Sequence, residues 1–581
     1  MKKRVLLGAS HSVIEPLGLL HLGGLARDLG FERRFHLVEN HNFEQFFEVV
    51  KDFKPNIVGF NVYTGNHLKL FNALKRLKKD NPEIITVLGG PHATYFPVES
   101  KRHADYVVMS EGFGAFKRIL KGEVAPGIIP MTNTERFPHP DRETFYNQYP
   151  EHRNSRIKSI ITMTGCPYSC SYCYNSSTPQ DIKEEINSDL VEKIAHIKSM
   201  GGRLFPHNIR SVEDVIKESR EIAEKWETEV IYCQDDVHGF DIKEWMPELA
   251  RRWPKEVGLP YHAQMRWEMT KQEKRLDLLR EAGCFGLTLA IEAADPVIRT
   301  EVLSRRMSNE LIFKGMKAII DRGFRVRTEQ ITGLPYGATS QPTLMNLEAD
   351  LQLVELNVNL RRVSGGPTMA WASTLVPYEG TKLGTYCADN GYYLGNNNDI
   401  SDNFFDRSVL RFPKKWVGRE LKKRKAELSL WLDSDQLERY HDQNAELRNI
   451  FNFVTLVPEG HKLAKSYLES SEPFTFERLG RETEVFLNSI TPFNSEAGVL
   501  LENIIKIKTT SSEITSDLEG QKNIRRLAGY FGCLPKWKLA AKKFIAYATK
   551  WGYTSKTLST ATRHHLYDNV LYSTTKADPR Q

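Results

Sequence analysis

Three cysteines occupy a span of only eight positions, at Cys166, Cys170 and Cys173, within the stretch TGCPYSCSYCYN (164–175). The chain of 581 residues contains only seven cysteines in all. Thiolates act as nucleophiles, as redox partners and as ligands for soft metals. The spacing C-x3-C-x2-C therefore indicates a site for metal or redox chemistry.

The residues alone leave several interpretations of this loop open. A structural zinc site normally has four ligands in two separated pairs, and no second pair completes one here. Cys170 and Cys173 have the spacing of a redox disulfide. Three thiolates could instead hold a [4Fe–4S] cluster with one iron left open for a ligand, although four cysteines are usual. Three unligated thiols are the simplest alternative, and the close spacing disfavours it.

The composition of the chain indicates its cellular compartment and the kinds of partner to expect. Seven cysteines in a chain of this length do not make a disulfide scaffold, so we expect a reducing, cytoplasmic compartment. No apolar run approaches the ~18 residues that span a bilayer. The net charge of +7 is spread along the chain. The basic stretch 413–425 is interrupted by Glu420 and predicts a solvated helix face, so a nucleic-acid partner is not expected.

Residues 1–125 alternate apolar strands with helices, which predicts a Rossmann-like, doubly wound parallel sheet of five strands. Ligands bind such sheets at the carboxyl ends of the strands. Those ends are rich in glycine and small residues, and they read GASH (8–11), VYTGN (62–66), LGGPH (88–92) and MSEG (109–112). The dinucleotide fingerprint G-x-G-x-x-G does not follow the first strand, which argues against NAD or FAD.

Residues 126–156 are rich in proline and predict a linker, and a second series of strands and helices occupies 157–404. This series predicts a partial or full (β/α) barrel with its active site at the carboxyl ends of the strands. The predicted strands include 229–236, 259–267, 287–293, 325–335 and 359–364. Residues 405–581 predict a mostly helical C-terminal domain that closes the substrate pocket.

The sequence CPYSCSYC resembles the C-x3-C-x-aromatic-C signature of the radical S-adenosylmethionine (radical SAM) superfamily. The resemblance implies a [4Fe–4S] cluster on the three cysteines, with the open iron binding SAM. It also implies reductive cleavage of SAM to a 5′-deoxyadenosyl radical, fed by a one-electron donor such as flavodoxin or ferredoxin.

Three further stretches resemble superfamily segments: YCQDDVHGFD (232–241), LREAGCFGLTLAIEAAD (279–295) and TEQITGLPYGAT (328–339). The resemblance implies SAM contacts from Tyr172, Asp235, Asp236, Arg266, Glu292 and Gly333. Family members often have Gly then Glu where this chain has Tyr336 to Ala338, which is a departure from the pattern.

The front domain is similar to the cobalamin-binding domain of B12-dependent radical SAM enzymes. The resemblance rests on PLGLLHLGGLA (16–26), VLGGPHATYFP (87–97) and DYVVMSEG (105–112), and on the linker segment PHPDRETF (138–145). It implies cobalamin contacts from Leu17, Gly18, Tyr63, Thr64, Gly89, Gly90, Glu111 and Gly112. Phe113 stands where that class has a second acidic residue.

His11 is the candidate cobalt ligand, because it aligns with the histidine of the motif D-x-H-x-x-G found in methionine-synthase-like domains. Ala9 and Ile14 replace the acid and the glycine of that motif. Without an acid to orient the imidazole, we expect base-off cobalamin with no histidine ligand from His11 or from His67.

The resemblance implies a B12-dependent radical SAM methyltransferase that methylates an unactivated carbon of a small-molecule or peptide substrate. The alternative is an oxidative cyclase or rearrangement enzyme that uses both cofactors without methyl transfer. A methylthiotransferase is disfavoured, because residues 1–150 contain none of the three extra cysteines that it normally needs. A non-catalytic binding module would not need Glu292 and the GLP strand beside the cysteine loop.

Overall fold

A computed structural model describes residues 3–12, 14–39, 42–130, 136–178, 181, 203–205, 207–335, 352–357, 359–360, 368–400 and 408–411. The proposed helical domain at 405–581 lies outside these residues except for 408–411. None of the described helices has the length and apolar character to cross a membrane.

The front domain contains a six-stranded, wholly parallel sheet with the order β2-β1-β3-β4-β5-β6. Its strands are β1 Arg4–Ser10, β2 Glu32–Val38, β3 Ile57–Asn61, β4 Ile85–Gly89, β5 Tyr106–Val108 and β6 Gly127–Ile129. The central strands are apolar and buried, as a sheet covered by helices on both faces requires. The order reverses between β1 and β3, which places a ligand crevice at their carboxyl ends.

The sheet has one strand more than the five that the sequence predicted. β6 falls in the proline-rich stretch interpreted as a linker, where three residues carry too short an apolar pattern to be recognised. The same stretch also forms the helices Arg142–Gln148 and Pro150–Asn154. The segment between the two sheets is therefore partly structured.

The second sheet is a parallel, partial barrel of six strands with the order β14-β13-β12-β11-β10-β7. Its strands are β7 Ile157–Ile160, β10 Val230–Cys233, β11 Tyr261–Met265, β12 Cys284–Glu292, β13 Arg325–Thr332 and β14 Thr368–Thr374. A short antiparallel pair, β8 Met163–Thr164 with β9 Asn208–Ile209, lies beside it.

The predicted strand at 359–364 is wrong at its start, because residues 359 and 360 are helical and the outer strand of the sheet begins at Thr368. Asn359 and Leu360 sit in an apolar stretch, VELNVNL, whose pattern does not distinguish a buried strand from a buried helix. Residues 361–364 lie outside the described part of the chain.

Helices connect the strands and cover both sheets. The longer ones are Leu17–Asp28, Glu44–Phe53, His67–Asp80, Phe113–Lys121, Val212–Lys225, Trp245–Glu256, Glu273–Glu281, Asn309–Ile320 and Lys382–Asp389. Hydroxyl side chains cap three of these helices, and each accepts a hydrogen bond from the backbone of the first turn: Ser211, Ser308 and Thr381.

One apolar core joins the two sheets. It runs from Leu7 in the front sheet, through Phe145 in the connecting segment, to Leu287 in the partial barrel, and all three side chains are buried. The front domain is thus packed against the barrel, and this packing fixes which edges of the two sheets meet.

Candidate active site

The three clustered cysteines lie on the loop that follows β8. The loop turns at Gly165, whose φ of 70° suits glycine. The Ser176 hydroxyl donates to the backbone carbonyls of Cys170 and Cys173, each at 2.8 Å. Cys170 is buried, and Cys166 and Cys173 are half-buried. The other described cysteines, Cys233, Cys284 and Cys387, are buried elsewhere.

The thiols of the loop influence one another's ionisation. Burial raises the pKa of Cys173 to about 12, and Asp236, Cys170 and Cys166 add to this rise. Burial also raises the pKa of Cys166. Such thiols stay protonated at neutral pH until a metal displaces the protons. A donor set of three neighbouring thiols suits a thiophilic iron–sulfur cluster.

Arg266 meets the cysteine loop directly. Its Nη1 donates to Cys170 Sγ at 2.8 Å, and its guanidinium stacks 4.0 Å from the centre of the Tyr168 ring. Glu268 holds the same guanidinium by two hydrogen bonds, at 2.5 and 3.1 Å. A buried, oriented cation here could also bind the carboxylate of a ligand on the cluster.

Glu292 and Tyr172 are brought together although 120 residues separate them, and the Tyr172 hydroxyl donates to Glu292 Oε1 at 2.5 Å. Glu292 has a φ of 67°, an unusual conformation for a residue with a side chain. Strain of this kind clusters at functional sites. Burial raises the pKa of the Glu292 carboxyl, an effect that Arg305 opposes.

Arg305 is a site residue that the sequence analysis missed. Its Nη1 donates to the Tyr172 hydroxyl at 2.8 Å and lies 3.5 Å from Glu292 Oε1, and its Nη2 donates to the Ala290 carbonyl at 2.6 Å. Only 3% of Arg305 is exposed. No sequence pattern identifies this arginine as a site residue, because the place of its side chain depends on how the loop after β12 folds back.

The two neighbouring aspartates of the second barrel strand have different environments. Asp235 is buried and accepts hydrogen bonds from the backbone and hydroxyl of Thr162, and it contacts His238 Nδ1 at 2.7 Å. Asp236 keeps an exposed side chain. Burial by surrounding protein nevertheless raises its pKa. Asp236 is therefore the one of the pair that can meet a ligand at the cysteine loop.

Gly333, a predicted SAM contact, directly follows β13. Its φ of 71° excludes most other residues, and a Cβ there would come no closer than 3.9 Å to Thr374. The glycine is thus required by the backbone turn. Tyr336 and Ala338, where the sequence departs from the superfamily pattern, lie outside the described residues.

The predicted cobalamin residues gather at the carboxyl ends of the front strands. Gly18 is exposed at the start of its helix, where an added Cβ would meet nothing within 4 Å, whereas Leu17 is buried. Tyr63 is 49% exposed, although tyrosine carries a large apolar ring. Thr64 is buried, and its hydroxyl lies 2.9 Å from His92 Nδ1.

The loops after β4 and β5 complete this edge. Gly90 has a φ of 96°, and a Cβ there would lie 1.9 Å from Asn61 Oδ1, so the site requires glycine. Gly89 and Gly112 are half-buried beside it. Glu111 accepts a hydrogen bond from Asn208 Nδ2 at 2.7 Å, which ties the edge to the barrel. The small residues leave backbone accessible, as a slot for an elongated ligand requires.

The two histidines considered as cobalt ligands differ in position. His67 is buried, accepts a hydrogen bond from the Gly65 backbone at Nδ1 (3.2 Å) and donates from Nε2 to Asn398 (3.1 Å). Both of its nitrogens are thus engaged. His11 is half-buried, and its ring lies 6.1 Å from that of His152.

The cobalamin edge of the front domain lies against the cysteine loop. The Tyr95 hydroxyl donates to the Tyr174 carbonyl at 2.6 Å, and Tyr174 directly follows the last clustered cysteine. Leu204, on the segment after the loop, packs in one apolar cluster with Tyr95, Phe96 and Met109 of the front domain. The two predicted cofactor sites therefore meet at one interface.

Comparisons with known proteins match both halves of the chain. Residues 3–120 match the B12 binding domain family, and residues 160–339 match the radical SAM superfamily. An uncharacterized methyltransferase of Pyrococcus horikoshii is 23% identical over 66% of this chain and 80% of its own length. A cytidylyl-2-hydroxyethylphosphonate methyltransferase of Streptomyces wedmorensis is 22% identical over 64% of this chain and 74% of its own.

A further relative has a different named activity. An anaerobic magnesium-protoporphyrin IX monomethyl ester cyclase of Rubrivivax gelatinosus is 23% identical over 50% of this chain and 53% of its own length. The two matched families imply the cofactors cobalamin, SAM and a [4Fe–4S] cluster, and the thiol loop and the glycine-rich edge fit them. The chain is a radical SAM superfamily protein with an N-terminal B12-binding domain.

Proposed function

We propose that this chain is a B12-dependent radical SAM methyltransferase that acts on an unactivated carbon of a small-molecule or peptide substrate. When bound, the cofactors supply a carbon radical through SAM at the cluster and a methyl group through cobalamin. The residues of the chain have to hold both cofactors around one substrate and exclude water.

The observation that carries this proposal is the hydrogen bond from the Tyr95 hydroxyl to the Tyr174 carbonyl, at 2.6 Å. It joins the glycine-rich edge of the front sheet to the loop of the clustered cysteines. Methyl transfer to a substrate radical requires that the radical site and the cobalt face the same cavity. Relatives named as methyltransferases support the same activity.

Within this site, we assign the cluster to Cys166, Cys170 and Cys173. Arg266 and Asp236 would bind the carboxylate and amino groups of SAM, and Glu292, held by Tyr172 and Arg305, would bind its ribose. Gly18, Tyr63 and Gly90 would line the cobalamin slot. A cytoplasmic flavodoxin or ferredoxin would supply the electron, since radical SAM enzymes need a reductant.

The first test does not require the natural substrate. The protein is purified without oxygen, loaded with iron, sulfide and cobalamin, and incubated with SAM that carries a deuterated methyl group and with titanium(III) citrate. We expect deuterated methylcobalamin, S-adenosylhomocysteine and 5′-deoxyadenosine by mass spectrometry. Wild-type protein that binds cobalamin but forms no deuterated methylcobalamin would contradict methyl transfer.

A cyclase is the second candidate, and the Rubrivivax gelatinosus relative is the observation that favours it. That activity predicts 5′-deoxyadenosine without S-adenosylhomocysteine or labelled cobalamin. The variants Cys166→Ala, Cys170→Ala and Cys173→Ala should abolish 5′-deoxyadenosine under either activity. Cys387→Ala is the matched control, because this buried cysteine lies in a separate apolar cluster.

A further inference from the structure

Arg203 makes an unusual set of contacts with the cysteine loop. Its Nη1 donates to the backbone carbonyls of Cys166, Tyr168 (2.6 Å) and Asn175 (3.3 Å). Its Nη2 donates to the Pro167 carbonyl at 2.7 Å and to the Ser169 hydroxyl at 3.1 Å. One guanidinium therefore binds the start of the loop at 166–169 and its end at 175.

These contacts suit arginine alone. The planar guanidinium presents five N–H groups in a fixed fork, whereas a lysine ammonium presents three donors around one point. Carbonyl oxygens that converge on one side of a loop repel one another unless a cation lies between them. Arg203 thus stabilises a loop shape in which the carbonyls face the guanidinium and the thiols are left to bind the cluster.

The guanidinium of Arg203 brings a positive charge to the backbone of the cysteine loop. Among the described residues, no aspartate or glutamate forms an ion pair with it, whereas Arg266 is paired with Glu268 at 2.5 Å. A cluster held by three thiolates carries net negative charge, and reduction adds one more. A nearby cation therefore favours the reduced form, because cluster potentials depend on local charge.

The neighbouring residue connects this arginine to the front domain. Leu204 is fully buried and packs against Tyr95, Phe96 and Met109 of the B12-binding domain. Its backbone N–H donates to the Ser177 carbonyl at 3.0 Å, just past the cysteine loop. The position of Arg203 is therefore set by contacts with both halves of the protein.

We propose that Arg203 is a positioning residue for the iron–sulfur cluster, and that Leu204 couples its position to docking of the B12-binding domain. This inference rests on the cluster and not on methyl transfer. The tests therefore measure the cluster directly. One measures the iron content per chain, and the other measures the midpoint potential by electron paramagnetic resonance during a redox titration.

Arg203→Met should retain the cluster about tenfold less well than wild type under dilution or mild chelation, as expected when an outer-shell partner of a metal site is lost. The cluster that remains should have a more negative midpoint potential. Arg203→Lys should also lose iron, because it lacks the fork, but should keep a potential close to that of wild type. Leu204→Ala should lower iron retention with the charge left in place.

Arg322→Met is the matched control, since Arg322 pairs with Asp277 and Glu273 on the surface of the barrel. It should keep wild-type iron and potential. Circular dichroism of each apoprotein checks folding before loading, and Arg203→Lys carries the test if the methionine variant does not fold. Wild-type iron retention in Arg203→Met, or in Arg203→Lys when only that variant folds, would overturn the proposal. Wild-type protein that binds no iron would instead contradict the assignment of an iron–sulfur cluster to the three cysteines.

Discussion

The hydroxyl of Tyr95 donates a 2.6 Å hydrogen bond to the backbone carbonyl of Tyr174, and the two rings lie 4.3 Å apart. Tyr95 belongs to the helix after β4 of the B12-binding domain, and Tyr174 follows the last cysteine of the radical SAM loop. This pair links the two predicted cofactor sites. It also packs close to Gly380, whose added Cβ would lie 2.8 Å from the Tyr95 ring.

Tyr95→Phe should uncouple the cleavage of SAM to 5′-deoxyadenosine from methyl transfer. Removal of the hydroxyl leaves the Tyr174 carbonyl without this partner, at a cost of about 1 kcal/mol in the free energy of unfolding. We expect more 5′-deoxyadenosine per S-adenosylhomocysteine, measured by mass spectrometry. Tyr106→Phe is the control, because its hydroxyl donates to the Val124 carbonyl away from the interface. An equal product ratio in both variants would argue against coupling through Tyr95.

Gly18→Leu should block the binding of cobalamin without destabilising the folded protein. Gly18 lies at an exposed helix start where a new side chain meets no heavy atom within 4 Å. Leucine is a better helix former than glycine, so apoprotein stability should be unchanged or slightly higher. We expect less cobalt and unchanged iron per chain by metal analysis. Gly127→Leu, equally open but at the amino end of β6, should keep its cobalt. Full cobalt in Gly18→Leu would place the corrin elsewhere.

Glu218→Gln should destabilise the junction between the barrel and the segment that connects it to the front domain. Glu218 binds Arg142 at 2.5 Å and Arg210 at 2.6 Å, and all three side chains are at most 2% exposed. Loss of one charge in a buried network typically costs about 3–5 kcal/mol, because the partner charges remain buried. Chemical denaturation should reveal this loss.

The comparison variant for Glu218 is Glu310→Gln, which removes an exposed ion pair with Lys314. Water and salt screen exposed pairs, so this variant should unfold almost as wild type does. Equal stability of the two variants would show that the buried network contributes no more than a surface pair.

Stability should fall as the pH drops from about 6.5 to about 4, in part because of His21. Burial lowers the pKa of His21 from 6.5 to about 4, and its Nδ1 donates to the Pro138 carbonyl. The unfolded chain takes up the proton first, so the stabilisation is complete above pH 6.5 and is lost as the pH falls towards 4. At pH 5 the loss is about 2 kcal/mol.

His21→Gln keeps a donor for the Pro138 carbonyl but cannot titrate. The unfolding free energy of this variant, measured by denaturant at pH 7 and pH 5, should therefore differ less between the two pH values than that of wild type. His36 has a pKa lowered to about 4, chiefly by burial, and His36→Gln should flatten the profile in the same way. A wild-type pH profile in both variants would contradict this account.

Local patterns in the sequence determined the cofactor chemistry and most of the fold. The spacing of Cys166, Cys170 and Cys173 lies within one loop, so its meaning does not depend on distant contacts. Apolar runs likewise marked the buried strands of both parallel sheets, because a strand covered on both faces must be apolar throughout. The three-residue strand β6 was not predicted, because three residues are too few to show a periodic pattern.

Only the tertiary structure decided which residues surround the cysteine loop. Arg203 and Arg305 carry no sequence signature, yet the fold places their guanidinium groups on the loop carbonyls and on the Tyr172 hydroxyl. The fold also distinguished Asp235, which bonds to Thr162, from its exposed neighbour Asp236. Side-chain partners across tens of residues depend on how strands and loops pack, and that information is absent from any local stretch of sequence.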